Sequence, residues 1–168
     1  PASCPKNTDR LNRSIDYLSS LGFQVQKGRH LLDKDAYLAG ADSDRFADLK
    51  EAFDSDSAAI LCSRGGYGCM RLLPYLNQLQ KPAEPKIFMG YSDITTLHLF
   101  LSQEWSWCSY YGPMPAVEMG QEQFPGSYTE KNLKTFLFDN PDQFQVPHLP
   151  YRAMEGLCPG KAEGILTG

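Results

Sequence analysis

The stretch Lys86-Ile87-Phe88-Met89-Gly90-Tyr91-Ser92-Asp93-Ile94-Thr95-Thr96-Leu97-His98-Leu99 decides the fold. An apolar run ends at Gly90, Ser92 follows two residues later, and an amphipathic segment then begins. This is the pattern of a β-strand, a tight turn and a helix, with the serine at the turn. A serine so placed projects from the carboxyl end of a strand, beside the first amides of the helix. Those amides can stabilise an oxyanion, which suits the position to a nucleophilic hydroxyl. Upstream, the apolar run Ala58–Cys62 leads into Arg64-Gly65-Gly66-Tyr67-Gly68, a second turn of the same kind. Two such turns in one α/β chain belong at the same edge of a parallel sheet, where ligands bind.

Working outward, Leu11, Ile15, Leu18 and Leu21 fall at helical spacing, so Thr8–Leu21 reads as a helix capped by Asn7 or Thr8. Phe23 and Val25 alternate with glutamines as in a short strand, and Gly28–Gly40 is a polar connection. Asp42–Phe53 reads as a second helix with Asp42 as its cap, and Ala58–Cys62 as a buried strand. Leu72, Leu73, Leu76 and Leu79 suggest a third helix, with Pro74 tolerable only in its first turn. After the quoted stretch, whose helix is read as Asp93–Gln103, come a strand over Trp105–Tyr110 and a rigid turn at Gly112–Pro115. An irregular Val117–Pro125 follows, then a helix through Phe138 opened by the capping-box spacing Ser127 to Glu130. The order predicts a parallel sheet with helices on both faces, a flavodoxin-like or Rossmann-like α/β domain over residues 1–150. Residues 151–168 read as a linker and, at Pro159–Gly168, the start of a further strand.

Composition narrows the class. The 168 residues are 42% hydrophobic and 12% aromatic, enough for a core and unlike a disordered chain. A net charge of −4 without a basic stripe argues against nucleic acid as a partner. No apolar run approaches the roughly 20 residues that span a bilayer. Five cysteines, Cys4, Cys62, Cys69, Cys108 and Cys158, without CxxC spacing indicate neither a disulfide framework nor a zinc site. That usage fits the cytoplasm, and a start at Pro1 rather than methionine is compatible with a removed leader.

For chemistry, the Ser92 turn lacks the second glycine of G-x-S-x-G, so it is not the α/β-hydrolase elbow. Ser92 can cap the helix, with Asp93 adding charge near its positive end, and still be exposed enough to react. The glycine-rich turn is neither a P-loop nor a G-x-G-x-x-G fingerprint, but its consecutive amides can form an anion-binding nest. Beside Ser92 it supplies an oxyanion donor from Gly65 or Gly66, with the Asp93 N–H as the first. A serine also needs a base. His98 lies six residues beyond Ser92, about 240° around a helix at roughly 100° per residue, and should point away. His30 and His148 fall in connections and read as surface residues.

These residues resemble the LD-carboxypeptidase family, the murein tetrapeptide carboxypeptidases, whose relatives include the microcin C resistance peptidases. The resemblance rests on Tyr37-Leu38-Ala39-Gly40 with Asp42 and Arg45, and on Arg64–Gly68 with Arg71-Leu72-Leu73-Pro74. It continues through Pro85-Lys86-Ile87, Gly90–Thr95 and Gly112-Pro113-Met114, and ends at Gly160–Gly164. It implies a two-domain serine peptidase with a Ser-His-Glu triad, no metal or organic cofactor, and a tendency to dimerise. Ser92 takes the nucleophile's place, and Asp93, Gly65 and Gly66 the oxyanion donors'. The triad glutamate and histidine belong to a C-terminal domain that is expected to be missing here apart from its start, as is the fold's first strand. Tyr111 stands where histidine is expected. The implied reaction releases D-alanine from cytoplasmic murein tetrapeptide. On this reading Arg64 grips the substrate's carboxylate or anchors its own loop, and Tyr67 lies beside the substrate. Two other readings stay open: a microcin-processing peptidase of the same family, and a non-catalytic module binding a peptide or anion at the two turns.

Overall fold

The computed structural model describes residues 2–138. Three parallel strands, β1 (Ala59–Leu61), β2 (Ile87–Gly90) and β3 (Tyr110–Tyr111), form a sheet in the order β1-β2-β3. Around it lie α1 (Thr8–Ser20), α2 (Asp42–Asp54), α3 (Leu73–Leu76), α4 (Thr95–Trp105) and α5 (Tyr128–Phe138).

Successive residues of a strand face opposite sides of a sheet, and β2 uses both. Phe88 is fully buried in a core with Phe53 of α2, Leu76 of α3, and Leu97, Leu101 and Trp105 of α4. Its neighbour Met89 is buried in a second core with Met119, Phe124 and Leu133 of α5, against which Tyr17 of α1 packs. Helices therefore cover both faces, as the βα alternation predicts. All three strands run the same way, so the turn after β1, the turn after β2 and the segment after β3 emerge at one edge.

The first helix is capped as expected, by the Asn7 side chain accepting the Arg10 amide at 3.1 Å. Several local expectations give way. Phe23 and Val25 form no strand: both are partly exposed, and no described strand lies alongside to take their backbone groups. Asp42 is the first residue of α2 and not its cap; the cap position is Ala41, and the Asp42 carboxylate pairs with Arg45 and Arg71 instead. The strand expected to be buried, β1, lies at the edge of the described sheet with Ala59 exposed.

The third helix shrinks to a 3₁₀ turn at Met70–Leu72 running into the four residues of α3. Pro74, in the first turn of α3, has no amide to extend a helix through it. Trp105 ends α4 rather than opening β3, because Ser106 takes the left-handed conformation at φ +55° and stops the helix. The expected turn at Gly112–Pro115 is instead an extended approach to a π-helical turn over Pro115–Met119, pinned where the Ala116 amide meets the Ser63 carbonyl at 2.9 Å. The readings of 139–168, including His148 and Cys158, lie outside the described residues.

Candidate active site

Strand β2 ends at Gly90, where an added Cβ would meet Cys62 at 2.9 Å and Ile94 at 3.0 Å. Only glycine lets the chain turn that close to the core. Tyr91 is extended, and Ser92 then adopts φ +65°, a left-handed conformation uncommon for a serine. A 3₁₀ turn over Ser92–Ile94 runs directly into α4, leaving Ser92 exposed at its start. A strained, exposed serine at a strand-to-helix junction has its hydroxyl presented rather than packed.

The glycine-rich turn after β1 meets this junction directly. A Cβ on buried Gly65 would stand 3.0 Å from the Tyr91 carbonyl, 3.3 Å from the Ser92 Cβ and 3.5 Å from the Asp93 amide nitrogen. The two turns thus touch through a position where any side chain would crowd the Tyr91 carbonyl and Ser92. Asp93 ties them a second time, its Oδ2 accepting the Cys69 amide at 2.8 Å. From sequence, Asp93 contributes a backbone amide and a charge near the helix start; its side chain adds this tie. No spacing rule signals this side-chain bond, because it spans 24 residues.

Behind the turn, Gly66 (φ +113°) and Gly68 (φ +132°) hold conformations that favour glycine. The segment at the chain's start braces them. Ser3 Oγ donates to the Gly65 carbonyl at 2.6 Å, and the Ala2 and Ser3 amides donate to the Arg64 and Gly65 carbonyls. Arg64 Nη1 donates to the Cys4 carbonyl at 2.7 Å, so the guanidinium does anchor its loop. Tyr67 stands 59% exposed on the same turn. Buried Arg45 donates through Nη1 to the Gly68 carbonyl at 3.1 Å while pairing with Asp42. Asp42 also binds Arg71, and these contacts hold its carboxyl below the usual aspartate range.

His98 is not aimed at Ser92. Its Nε2 lies 2.9 Å from the Gly90 carbonyl, which can only accept, so that nitrogen carries the proton; Nδ1 then faces Ser109 Oγ at 2.8 Å. Burial lowers its pKa and keeps the ring neutral, a staple between α4 and the end of β2. His30 bonds Asp33 at 2.8 Å and is raised by that carboxylate. With Asp44 these two form a group whose ligand atoms lie within 4.8 Å of one another, the candidate metal ligands among the described residues. Cys62 behaves as a small core residue, its thiol pushed by burial to about 12.

Tyr111, at the position where the family resemblance leads one to expect histidine, sits at the end of β3 with its hydroxyl oxygen accepting the Ser92 amide at 3.3 Å. Its ring centroid lies 5.7 Å from that of Tyr91. Tyr91 donates to Glu118 at 2.5 Å, and Glu118 also accepts the Met114 amide at 3.1 Å, so the π-helical turn buttresses the residue before the serine.

The fold and the two touching turns define an α/β domain that presents one serine, flanked by a glycine-rich loop, at the carboxyl edge of a parallel sheet. Residues 1–112 match the LD-carboxypeptidase N-terminal domain, and the chain belongs to that family. A probable murein peptide carboxypeptidase of Bacillus subtilis is 36% identical over 169 residues, covering 100% of this chain and 51% of its own. The murein tetrapeptide carboxypeptidase of Pseudomonas aeruginosa is 43% identical over 93 residues, 54% of this chain and 30% of its own. Among solved structures, an MccF-like protein from Bacillus anthracis superposes with a TM-score of 0.68 at 30% identity, over 79% of this chain and 41% of the other. The chain spans about half the length of the curated relatives it matches along its whole length. The Bacillus subtilis and Pseudomonas aeruginosa relatives are named carboxypeptidases, which makes this a hydrolase family. No helix among the described residues is long and apolar enough to cross a membrane.

Proposed function

We propose that this chain carries the nucleophile of a serine carboxypeptidase that cleaves an LD-amide bond and releases the terminal D-alanine of murein tetrapeptide in the cytoplasm. The observation that carries the reading is the contact of Gly65 with Ser92 and Asp93, which puts a cradle of backbone amides beside an exposed, strained serine. Ser92 Oγ attacks the acyl carbon, and the Asp93 amide with one from Gly65 or Gly66 stabilises the negative oxygen of the tetrahedral intermediate. Arg64, already tied to Cys4, and exposed Tyr67 border the path of the peptide. The proton passes to a histidine oriented by a glutamate, both supplied from outside the described residues, because His98 and His30 are committed elsewhere. No metal or organic cofactor takes part.

The test is D-alanine release by the complete protein. Ser92→Ala should lower kcat by at least ~10⁴-fold with the fold intact. Undiminished release by this variant would refute the assignment of the nucleophile. A second reading, a microcin-type peptidase, draws on the 26% identity over 163 residues to the microcin C7 self-immunity protein of Escherichia coli. Presenting a peptidyl nucleotide beside the murein tetrapeptide separates the two by kcat/KM.

A further inference from the structure

We propose that Tyr111 is a substrate-contacting residue whose phenol donates a hydrogen bond to the carboxylate of the residue being released. The inference rests on the carboxypeptidase reading above. Three observations carry it. First, the sheet order β1-β2-β3 puts the segments after β1 and β3 on opposite flanks of the turn after β2. The glycine-rich oxyanion side and Tyr111 therefore bracket Ser92 from two sides. Second, the Tyr111 oxygen lies 3.3 Å from the Ser92 amide nitrogen, within one residue of the attacking hydroxyl. Third, that contact uses the oxygen as an acceptor, which leaves the O–H hydrogen directed away from the amide, and the side chain is 59% exposed.

With the acyl oxygen in the glycine-rich cradle on one flank of Ser92, the Tyr111 flank is open to the leaving residue and its carboxylate. A terminal carboxylate is an acceptor only, and a phenol hydrogen is a matched donor for it. The ring is held for the task, packed 5.7 Å from Tyr91 and 6.3 Å from His98 between centroids, and both neighbours are fixed by their own hydrogen bonds. A merely structural role for the hydroxyl is a weak alternative. The Ser92 amide is at an exposed residue, where water replaces the phenol at little loss.

The experiment is a chemical double-mutant cycle on the complete protein. Wild type and Tyr111→Phe are each assayed on a murein tetrapeptide and on the same peptide with its terminal D-alanine replaced by ethylamine, which has no carboxylate. Tyr111→Phe should lower kcat/KM on the tetrapeptide by roughly 10- to 100-fold, the loss of one hydrogen bond to a charged group. On the ethylamide the same substitution should change kcat/KM less than about threefold. Equal losses on both substrates overturn the proposal and return the carboxylate to the Arg64 flank. Equal rates of wild type and variant on the tetrapeptide overturn it as well. Failure of the wild type to release either leaving group overturns the carboxypeptidase reading itself, and this inference with it.

Discussion

Ser92 stands on glycine positions whose substitution separates activity from stability. An alanine at Gly65 brings its methyl to 3.0 Å from the Tyr91 carbonyl and 3.3 Å from the Ser92 Cβ, both on the reacting side of the turn. We expect Gly65→Ala to lower turnover roughly 10-fold, because the neighbours must yield by only part of the ångström whose displacement costs about 100-fold. Thermal melts of the same variant should shift little by comparison. At Gly66 the loss falls on stability as well. There φ is +113° and the new methyl would lie 2.3 Å from Ser3 Oγ, so urea denaturation should report a loss of about 2 kcal/mol or more. Histidine 98 adds a pH dependence whose sign follows from its lowered pKa. The unfolded chain takes up a proton near 6.5 and the folded one at a lower pH, so its contribution is complete above that value and fades as pH falls below it. Replacing His98 by Gln should flatten that limb of the stability curve between pH 7 and 5.

At the scale of single elements, the start of α5 shows how a sequence signal can be right in place and incomplete in chemistry. Ser127 and Glu130 have capping-box spacing, and Ser127 Oγ does accept the Glu130 amide at 3.1 Å. The glutamate, however, does not return to Ser127. It accepts the Gly126 amide at 2.5 Å and the Tyr17 hydroxyl at 2.7 Å, and pairs with Lys134 at 2.6 Å. These partners, Lys134 foremost, depress its pKa to about 2. Because the folded pKa is below the unfolded one near 4.5, the contribution is full above pH 4.5 and is lost as pH falls toward 2. Glu130→Gln should therefore blunt the acid limb of unfolding in that window. Glu130→Ala should cost about 2 kcal/mol at pH 7 in urea titrations, since it strips Tyr17 of its partner. Local spacing found this helix start because caps are local. Long-range partners, such as Tyr17 across 113 residues, leave no trace in a window of four.

Across the whole molecule the legible part was the alternation of strand and helix, since apolar runs bounded by Gly65–Gly68 and by Gly90–Ser92 dictate parallel strands whose turns share an edge. The meeting of those turns was legible as an inference from topology. Its agents, the Asp93 carboxylate on the Cys69 amide and Tyr111 on the Ser92 amide, were not, because each depends on three-dimensional register. What keeps the register is β2. Phe88 is wholly buried between Phe53 at 5.9 Å and His98 at 5.6 Å, and Met89 locks the other face into the second core. Truncating Phe88 to alanine removes a buried ring from the strand that, among the described residues, is paired on both sides, and should cost about 3–5 kcal/mol. Because Gly90 and Ser92 continue that same strand, the loosening should reach the site. Fluorescence of Trp105 and Trp107, which lie against Phe53 in the same core, should report the packing change. Turnover measured well below the melting temperature should fall along with stability. Unchanged kcat at such a temperature would mean that the two turns hold each other in place without the strand beneath them.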